Sequence, residues 1–368
     1  MAVLLHISAN KYPALSQSHF TKKIWLELAK GFDEYHIMAR STDNRFHTYT
    51  EGNITLHLIP KIMDRSAIFF FSSLYMFLLI RKLKVTHLLA QSSVLGGYTA
   101  AWASRIYKLP LMTEIHGEEY FRYLKRNSFK NKALAKIVDF SFRNSVVVRS
   151  LNGYMTKRLH DAGYHNIEEI PNRVDLSIFN RRKSEFSSSK PVKLVSVGRF
   201  VKEKNYLQLI ENLHKSNLDF QLTLIGGGPL KSSYEDYINK FDLSARVRLI
   251  EWMPQSDLID LIVNADIYIQ YSVSEGMPRT IIEAMALNVP VISTNVGSIS
   301  GVVKNERNGL LLPDFSVESL KTIVNKLSDV SIVEQLSNNA YHDVLSKYEW
   351  SNVFARYRSV ILSMKLNR

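Results

Sequence analysis

Ala265-Asp266-Ile267-Tyr268-Ile269-Gln270-Tyr271, followed after two residues by Ser274-Glu275-Gly276-Met277-Pro278-Arg279-Thr280-Ile281-Ile282-Glu283-Ala284-Met285-Ala286-Leu287, reads as a strand, a loop and a helix. A single helix through the second run is disfavoured, because Gly276 weakens it and Pro278 has no N–H to donate inside it. Pro278 fits the first helical position, where the missing N–H does no harm. Asn288 fits a left-handed stop, and Pro290-Val291-Ile292-Ser293 begins the next strand. Glu275 then lies on the loop and Glu283 on the helix, about 7.5 Å along its axis from Pro278. In an open parallel sheet, ligands sit beyond the carboxyl ends of the strands, where helix N-termini aim free N–H groups at anions. Carboxylates repel phosphate but accept hydrogen bonds from neighbouring sugar hydroxyls. Two of them around such a place predict a ligand that carries both phosphates and sugars. The plainer alternative is two unrelated surface glutamates beside an ordinary helix start.

Working outward, Val192–Gly198, Phe220–Gly226, Val247–Trp252, Asp266–Tyr271, Val291–Asn295 and Leu310–Leu312 read as the strands of one α/β domain. Upstream, Val3–Ser8, Tyr35–Arg40, Ile54–Pro60, Val85–Gln91, Pro110–His116 and Ser145–Ser150 read as a second set. Helical patterns at Phe20–Gly31, Ile68–Leu83, Gly97–Tyr107 and Ser128–Phe142 alternate with them. This alternation predicts two doubly wound, Rossmann-like domains facing a cleft. The serine-rich stretch Arg181–Pro191 marks the junction, giving domains at 1–182 and 190–349. A closing helix at about Trp350–Lys365, within 350–368, has Phe354, Tyr357, Val360, Ile361 and Met364 at helical spacing. Its apolar face needs a partner, and the first domain is one candidate.

The 368 residues carry a net charge of +13 and no cysteine, so disulfides, thiolate nucleophiles and thiolate metal sites are excluded. The charge is uneven: residues 1–180 hold 24 Lys+Arg against 14 Asp+Glu, and residues 181–368 hold 23 against 20. A basic first half points to an anionic partner there, such as a membrane surface, nucleic acid or an anionic acceptor. Met1–Ser8 has no basic region before its apolar run and reads as a strand, not a signal peptide. Ala67–Ile80 is interrupted by serines and falls short of the ~20 apolar residues that span a bilayer, so it reads as a buried helix.

Chemistry gathers at strand ends. Gly198 closes one strand, Arg199 enters the loop, and Lys204 stands just before a helix. Two cations there can neutralise a departing pyrophosphate without a metal; a solvated basic loop is the plainer alternative. No D-x-D and no paired-histidine metal motif occurs, so no metal is expected. Gly226-Gly227-Gly228-Pro229 follows another strand and would let backbone approach a ligand closely. Neither a G-x-G-x-x-G nor a Walker motif is present, which leaves nicotinamide dinucleotides and Walker-type ATP hydrolysis unsupported.

Gly198-Arg199 with Glu203-Lys204, Gly226-Gly227-Gly228-Pro229-Leu230, Ala265-Asp266-Ile267-Tyr268, Glu275-Gly276 with Glu283-Ala284-Met285-Ala286, and Asn308-Gly309-Leu310-Leu311 occur in this order. Over about residues 192–313 the chain resembles the retaining glycosyltransferases of family 4, which have the GT-B fold. The resemblance implies transfer of a sugar from a nucleotide diphosphate sugar, UDP-linked by preference, to a hydroxyl acceptor, with no cofactor. It implies that Arg199 and Lys204 hold the diphosphate and that Glu283 accepts the ribose hydroxyls. Glu275, with the backbone around Gly276, Met277 and Pro278, would orient the donor sugar; Gly198 and Thr280 join the donor site, and Trp252-Met253 would lie where the base is read. In the first half, Thr113-Glu114-Ile115-His116-Gly117 resembles the segment carrying the family's active-site histidine, here His116. Ile170-Pro171-Asn172-Arg173-Val174-Asp175 matches the family's I-P-N-G-V-D except that Arg173 replaces glycine, and Asn172 is a candidate for the acceptor side.

One departure bears on function. The loop after the first strand lacks the family's paired glycines, leaving Ser16, Gln17 and Ser18 as candidate phosphate or acceptor contacts. A nucleotide-sugar-binding or assembly protein without turnover, and an epimerase on the same architecture, therefore stay open as alternatives. The segment Tyr120–Lys132 interleaves aromatics with Arg122, Lys125, Arg126, Lys130 and Lys132, a pattern for anionic lipid or a lipid-linked acceptor. Nucleic-acid binding lacks any stacking motif and is not expected. By analogy with the family, the chain works on bacterial surface glycans (capsule, lipopolysaccharide or exopolysaccharide), in the cytoplasm at the inner face of the membrane.

Overall fold

The computed structural model describes residues 1–13, 20–60, 74–125, 127–186 and 190–366. The chain divides into two compact units, Met1–Ile170 with Phe354–Arg368, and Pro171–Val353. In the first, β1 (Val3–Tyr12), β2 (Glu34–Ser41), β3 (His47–Glu51), β4 (Ile54–Ile59), β5 (His87–Ala90), β6 (Leu111–Glu114), β7 (Val147–Ser150) and β8 (Ile167–Glu169) form one sheet. Its order is β3-β4-β2-β1-β5-β6-β7-β8, with every pair parallel except β3–β4. In the second, β9 (Val192–Val197), β10 (Phe220–Ile225), β11 (Val247–Ile250), β12 (Ile267–Gln270), β13 (Val291–Thr294) and β14 (Leu310–Leu312) lie in the order β11-β10-β9-β12-β13-β14, all parallel. Both sheets are doubly wound, as the strand and helix alternation predicts.

The central strands are apolar on both faces because helices cover both sides of a parallel sheet. All four residues of β12 and of β13 are buried. Each helix then needs one apolar stripe. In Tyr206–Lys215 that stripe is Tyr206, Leu209, Ile210 and Leu213, all buried. Asn217, at φ 56°, turns the chain away in the left-handed region that Asn tolerates. These side chains join Phe220, Leu224, Tyr271 and Leu310 in the core of the second unit. In the first unit, Val3, Leu5, Ile7, Leu88 and Leu111 make a core with Ala100, Ala101 and Ala103 of the helix Leu95–Tyr107.

Two strands were not legible in the sequence. β3, His47-Thr48-Tyr49-Thr50-Glu51, has no buried residue, and β8 is three residues long with none fully buried. Both are edge strands held by backbone pairing, which leaves little hydrophobic pattern to read. Pro278 is also one position earlier than expected. At φ −69° and ψ 115° it is the extended residue before the helix Arg279–Ala286, so its ring sets the entry without occupying the first turn. Asn288 does take the left-handed stop, at φ 61°. The buried helix expected over Ile68–Leu83 is present at Leu74–Leu83, while residues 61–73 lie outside those described. Among the described residues no helix is long and apolar enough to cross a membrane.

The closing helix, Trp350–Ser363, gives Phe354, Tyr357 and Ile361 to the interior. Its Arg358 donates to the Glu27 carbonyl at 2.7 Å, and Tyr357 donates to the Glu114 carboxylate, both within the first unit.

Candidate active site

In the second unit, the loops that follow β9 and β12 meet at one carboxylate. Lys204 Nζ lies 2.6 Å from Glu275 Oε1, which also accepts from Gln270 Nε2 at 2.7 Å and Ser272 Oγ at 2.6 Å. Gln270 is itself fixed, since its Oε1 accepts from the Tyr268 hydroxyl at 3.0 Å. Glu275 is thus held in one geometry by three donors. Arg199 is exposed beside this cluster in sequence and, among the described residues, has no ion-pair partner. Gly198 is closely packed: a Cβ there would stand 2.8 Å from the Tyr206 hydroxyl and 3.0 Å from Lys204 Cε.

The loop Ser274–Pro278 is clamped from two sides. Asn172 Nδ2 donates to the Met277 carbonyl at 2.8 Å, and the Asn172 N–H points at Met277 Sδ at 3.3 Å. On the other side, the Ser298 N–H donates to the Glu275 carbonyl at 3.3 Å. Gly297, at φ 56°, lets the two backbones meet, since a Cβ there would stand 2.1 Å from that carbonyl oxygen. Asn172 therefore acts on the loop carrying Glu275. Gly297 and Ser298 were not singled out in the sequence, although a glycine just after the predicted strand Val291–Asn295 was an available signal.

The helix Arg279–Ala286 begins without a side-chain cap, so its first N–H groups are open to an anion. The Thr280 Oγ1 in its first turn is buried near the Tyr268 hydroxyl. Glu283, 8% exposed, faces the Arg279 guanidinium at 3.4 Å. Burial pushes its carboxyl above the ordinary carboxylate range, and Arg279 offsets only part of that.

The glycine run after β10 brings two backbones together. A Cβ on Gly226 would stand 2.0 Å from the Gly198 carbonyl oxygen, and one on Gly228 would stand 2.6 Å from that of Phe200. The close approach is of backbone to backbone, sealed by Phe200 N–H to Gly227 O at 2.8 Å. Trp252, 59% exposed, lies against this turn, with its ring 3.4 Å from a Cβ built on Gly226. An exposed indole on a glycine turn is a ready platform for a flat ring. Met253 follows it in the same loop, half-buried.

In the first unit, His116 stands just past β6. Its Nε2 lies 3.0 Å from Glu114 Oε2, with the imidazole 44% exposed and the carboxylate 4% exposed. Glu114 also pairs with Arg149 and accepts from Tyr357. Burial alone would raise the Glu114 carboxyl, but Arg149 and His116 hold it well below the usual range. The sequence singled out His116 but not Glu114, the last residue of β6 and two positions before it. Ser16, Gln17 and Ser18 lie outside the described residues, as does Arg126.

The aromatic and basic segment separates by burial. Tyr120 and Phe121 are buried with Phe142 and Tyr164, so they serve the core. Leu124 and Phe129 are 56% and 90% exposed, and Arg122, Lys125, Lys130 and Lys132 are exposed with them.

The chain is 27% identical over 199 residues to the phosphatidylinositol N-acetylglucosaminyltransferase GPI3 subunit of Saccharomyces cerevisiae, which covers 52% of this chain and 44% of that protein. It thus spans under half the length of that relative. It is 25% identical over 216 residues to the UDP-Gal:alpha-D-GlcNAc-diphosphoundecaprenol alpha-1,3-galactosyltransferase of Escherichia coli, covering 55% of each. Sucrose-phosphate synthase of Thermosynechococcus elongatus superimposes over 99% of this chain and 100% of its own, with a TM-score of 0.80 at 16% identity. The fold is therefore GT-B, as the resemblance implied. The family model described as glycosyl transferases group 1 matches residues 177–343, the region that carries Arg199, Lys204, Glu275 and Glu283.

Proposed function

We propose that this chain transfers a sugar from a UDP-sugar to a hydroxyl of a lipid-linked or glycan acceptor, with retention at the anomeric carbon, in the assembly of a bacterial surface glycan. The observation that carries the reading is the Lys204–Glu275 contact, which joins the loop that Arg199 enters to the loop that leads into the helix Arg279–Ala286. Anion-binding groups and hydroxyl-accepting carboxylates then lie on adjoining loops of one sheet edge. In this reading the bond from the anomeric carbon to the diphosphate breaks while the bond to the acceptor oxygen forms on the same face. The acceptor's proton passes to the departing phosphate oxygen. Arg199 and Lys204 stabilise the charge that grows on the leaving group, which is where binding energy raises rate. Glu283 accepts from the ribose and Trp252 stacks on the base. Two cations and the helix N-terminus are enough to hold the diphosphate, so the reading calls for no metal.

Support for UDP and for a lipid-linked acceptor comes from the names of relatives, of which the Escherichia coli enzyme has both. Thermal stabilisation by UDP-, GDP- and dTDP-sugars, measured in the presence of a chelator, tests the donor. UDP-sugars at about 100 times Kd should stabilise the fold by about 2.7 kcal/mol. No response to any nucleotide sugar would sink the reading. Product formation above background separates an enzyme from a binder that does not turn over.

The same reading has the chain work at the inner face of the membrane. Phe129 and Leu124 are exposed among Lys125, Lys130 and Lys132, the composition of a surface that rests on anionic lipid. Changing the three lysines to glutamine with Phe129→Ser should weaken binding to anionic vesicles by roughly 10²-fold, at about 1 kcal/mol per cation near the surface. Vesicle binding unchanged in a sedimentation assay would remove the membrane contact from the proposal.

A further inference from the structure

Under the exposed His116 lies a buried polar cluster that the reading above does not use. Glu114 is on β6, Arg149 on β7 and Tyr357 on the closing helix, and each is no more than 3% exposed. The two carboxylate oxygens divide the work. Oε1 accepts from Arg149 Nη1 and from the Tyr357 hydroxyl, while Oε2 faces His116 Nε2 at 3.0 Å. The guanidinium is fixed in turn: Arg149 Nε donates to the Ile170 carbonyl at 3.0 Å, and its plane lies 4.6 Å from the centre of the Tyr357 ring. Turning the carboxylate would break its contacts with Arg149, Tyr357 and His116 together. An ionised carboxylate only accepts, so the hydrogen between Glu114 and His116 must sit on Nε2.

We infer that Arg149 and Tyr357 are positioning residues for His116, acting through Glu114. They lock the imidazole with Nε2–H donated inward and the Nδ1 lone pair turned outward to accept from a sugar hydroxyl. The inference rests on the proposed sugar transfer but concerns only how the imidazole is prepared within the first unit. The protonation of one ring nitrogen is set by the bond that the other makes, and here the closing helix supplies part of that bond's support. His6 is a further titratable group that acts on Glu114 and His116. It is 4% exposed and its Nδ1 is 2.7 Å from the Tyr35 hydroxyl. Burial holds it neutral, at about 4, so it adds no competing charge at neutral pH.

Two readouts on the full chain test this. Nitrogen-15 NMR of labelled histidine should find His116 in the Nε2–H tautomer. Tyr357→Phe removes one oxygen and keeps the ring, so the Arg149–Glu114 pair and the melting temperature should stay close to the original. With one of its two Oε1 donors gone the carboxylate can turn away from Nε2, so the variant should show a mixture of tautomers and a kcat lowered by about 10-fold, the fold-change that loss of one charge-assisted hydrogen bond corresponds to. The donor KM should stay within about twofold, since no substrate contact is removed. Glu114→Gln, if it folds despite leaving Arg149 unpaired, should move the ring to the Nδ1–H tautomer, because its amide can donate to Nε2. Finding His116 as Nδ1–H in the original protein, or Tyr357→Phe with tautomer and kcat unchanged, would overturn the inference. The NMR result stands without turnover, so a failed donor assay would count against the proposed function alone.

Discussion

Replacing Lys204 with alanine is expected to lower kcat by about 10²-fold or more, the loss typical when a group that stabilises transition-state charge is removed. The argument begins with the ligand-free ion pair. Lys204 is 18% exposed and Glu275 10% exposed, so their mutual attraction is offset by what each loses in hydration. Bringing a diphosphate into the same site adds negative charge that Glu275 alone would repel. Lys204 is the group able to shift toward that charge, and Glu275 keeps Gln270 and Ser272 as donors when it does. Alanine removes the movable cation but leaves Glu275 hydrogen-bonded, so the fold should survive and the loss should fall on turnover. Lys204→Ala with kcat within threefold of the original would refute the role; a melting curve on the same sample separates it from misfolding.

Glu283→Gln should change two properties in opposite directions. The affinity for free UDP should fall by about 10- to 100-fold, because a charged acceptor for the ribose hydroxyls becomes a neutral one. Stability at neutral pH should rise. The Glu283 carboxyl is raised by burial in the folded chain, so the folded state binds its proton more tightly than the unfolded chain does. Stability therefore falls as pH rises from the unfolded value through the folded one, and at pH 7 the buried charge is a net cost. Glutamine removes that cost while keeping the shape, and a rise of a few degrees in Tm is expected. In the original protein UDP affinity should weaken as pH falls, beginning at a higher pH than an ordinary carboxylate would give, and the variant should lose this dependence. Calorimetry across pH 5 to 8 checks both; equal affinities at pH 7 would dismiss Glu283 as a ribose ligand.

Much of the site was legible because its signals are local. Glu275 and Glu283 declare themselves by a glycine and a proline that force a loop before a helix. Arg199 and Lys204 stand where any strand of a parallel sheet ends, so the doubly wound pattern was enough to find them. What stayed hidden depends on neighbours that are distant in sequence. The contact of Lys204 with Glu275 joins residues 71 positions apart, and that of Tyr357 with Glu114 joins residues 243 apart. The first arises because β12 is inserted beside β9, a strand order that spacing does not encode. The glycines at 226 and 228 announced a close approach of backbone, but only the fold shows that the partner is the backbone of Gly198 and Phe200. In the segment from Tyr120 to Lys132 the alternation of rings and cations was visible, whereas burial decided that two rings belong to the core and that Phe129 faces outward.

By itself, then, the sequence determined the kind of fold, the strand ends where a ligand can bind and the charged groups available there. Those follow from hydrophobic period, turn chemistry and position along the chain, each of which acts over a few residues. Tertiary structure alone decided which of those groups touch, which carboxylate is dry enough to resist ionising, and how His116 is supported from below. Pairing energies and desolvation depend on separations of a few ångströms between strands, and the order in which strands lie side by side is settled only when the whole sheet forms.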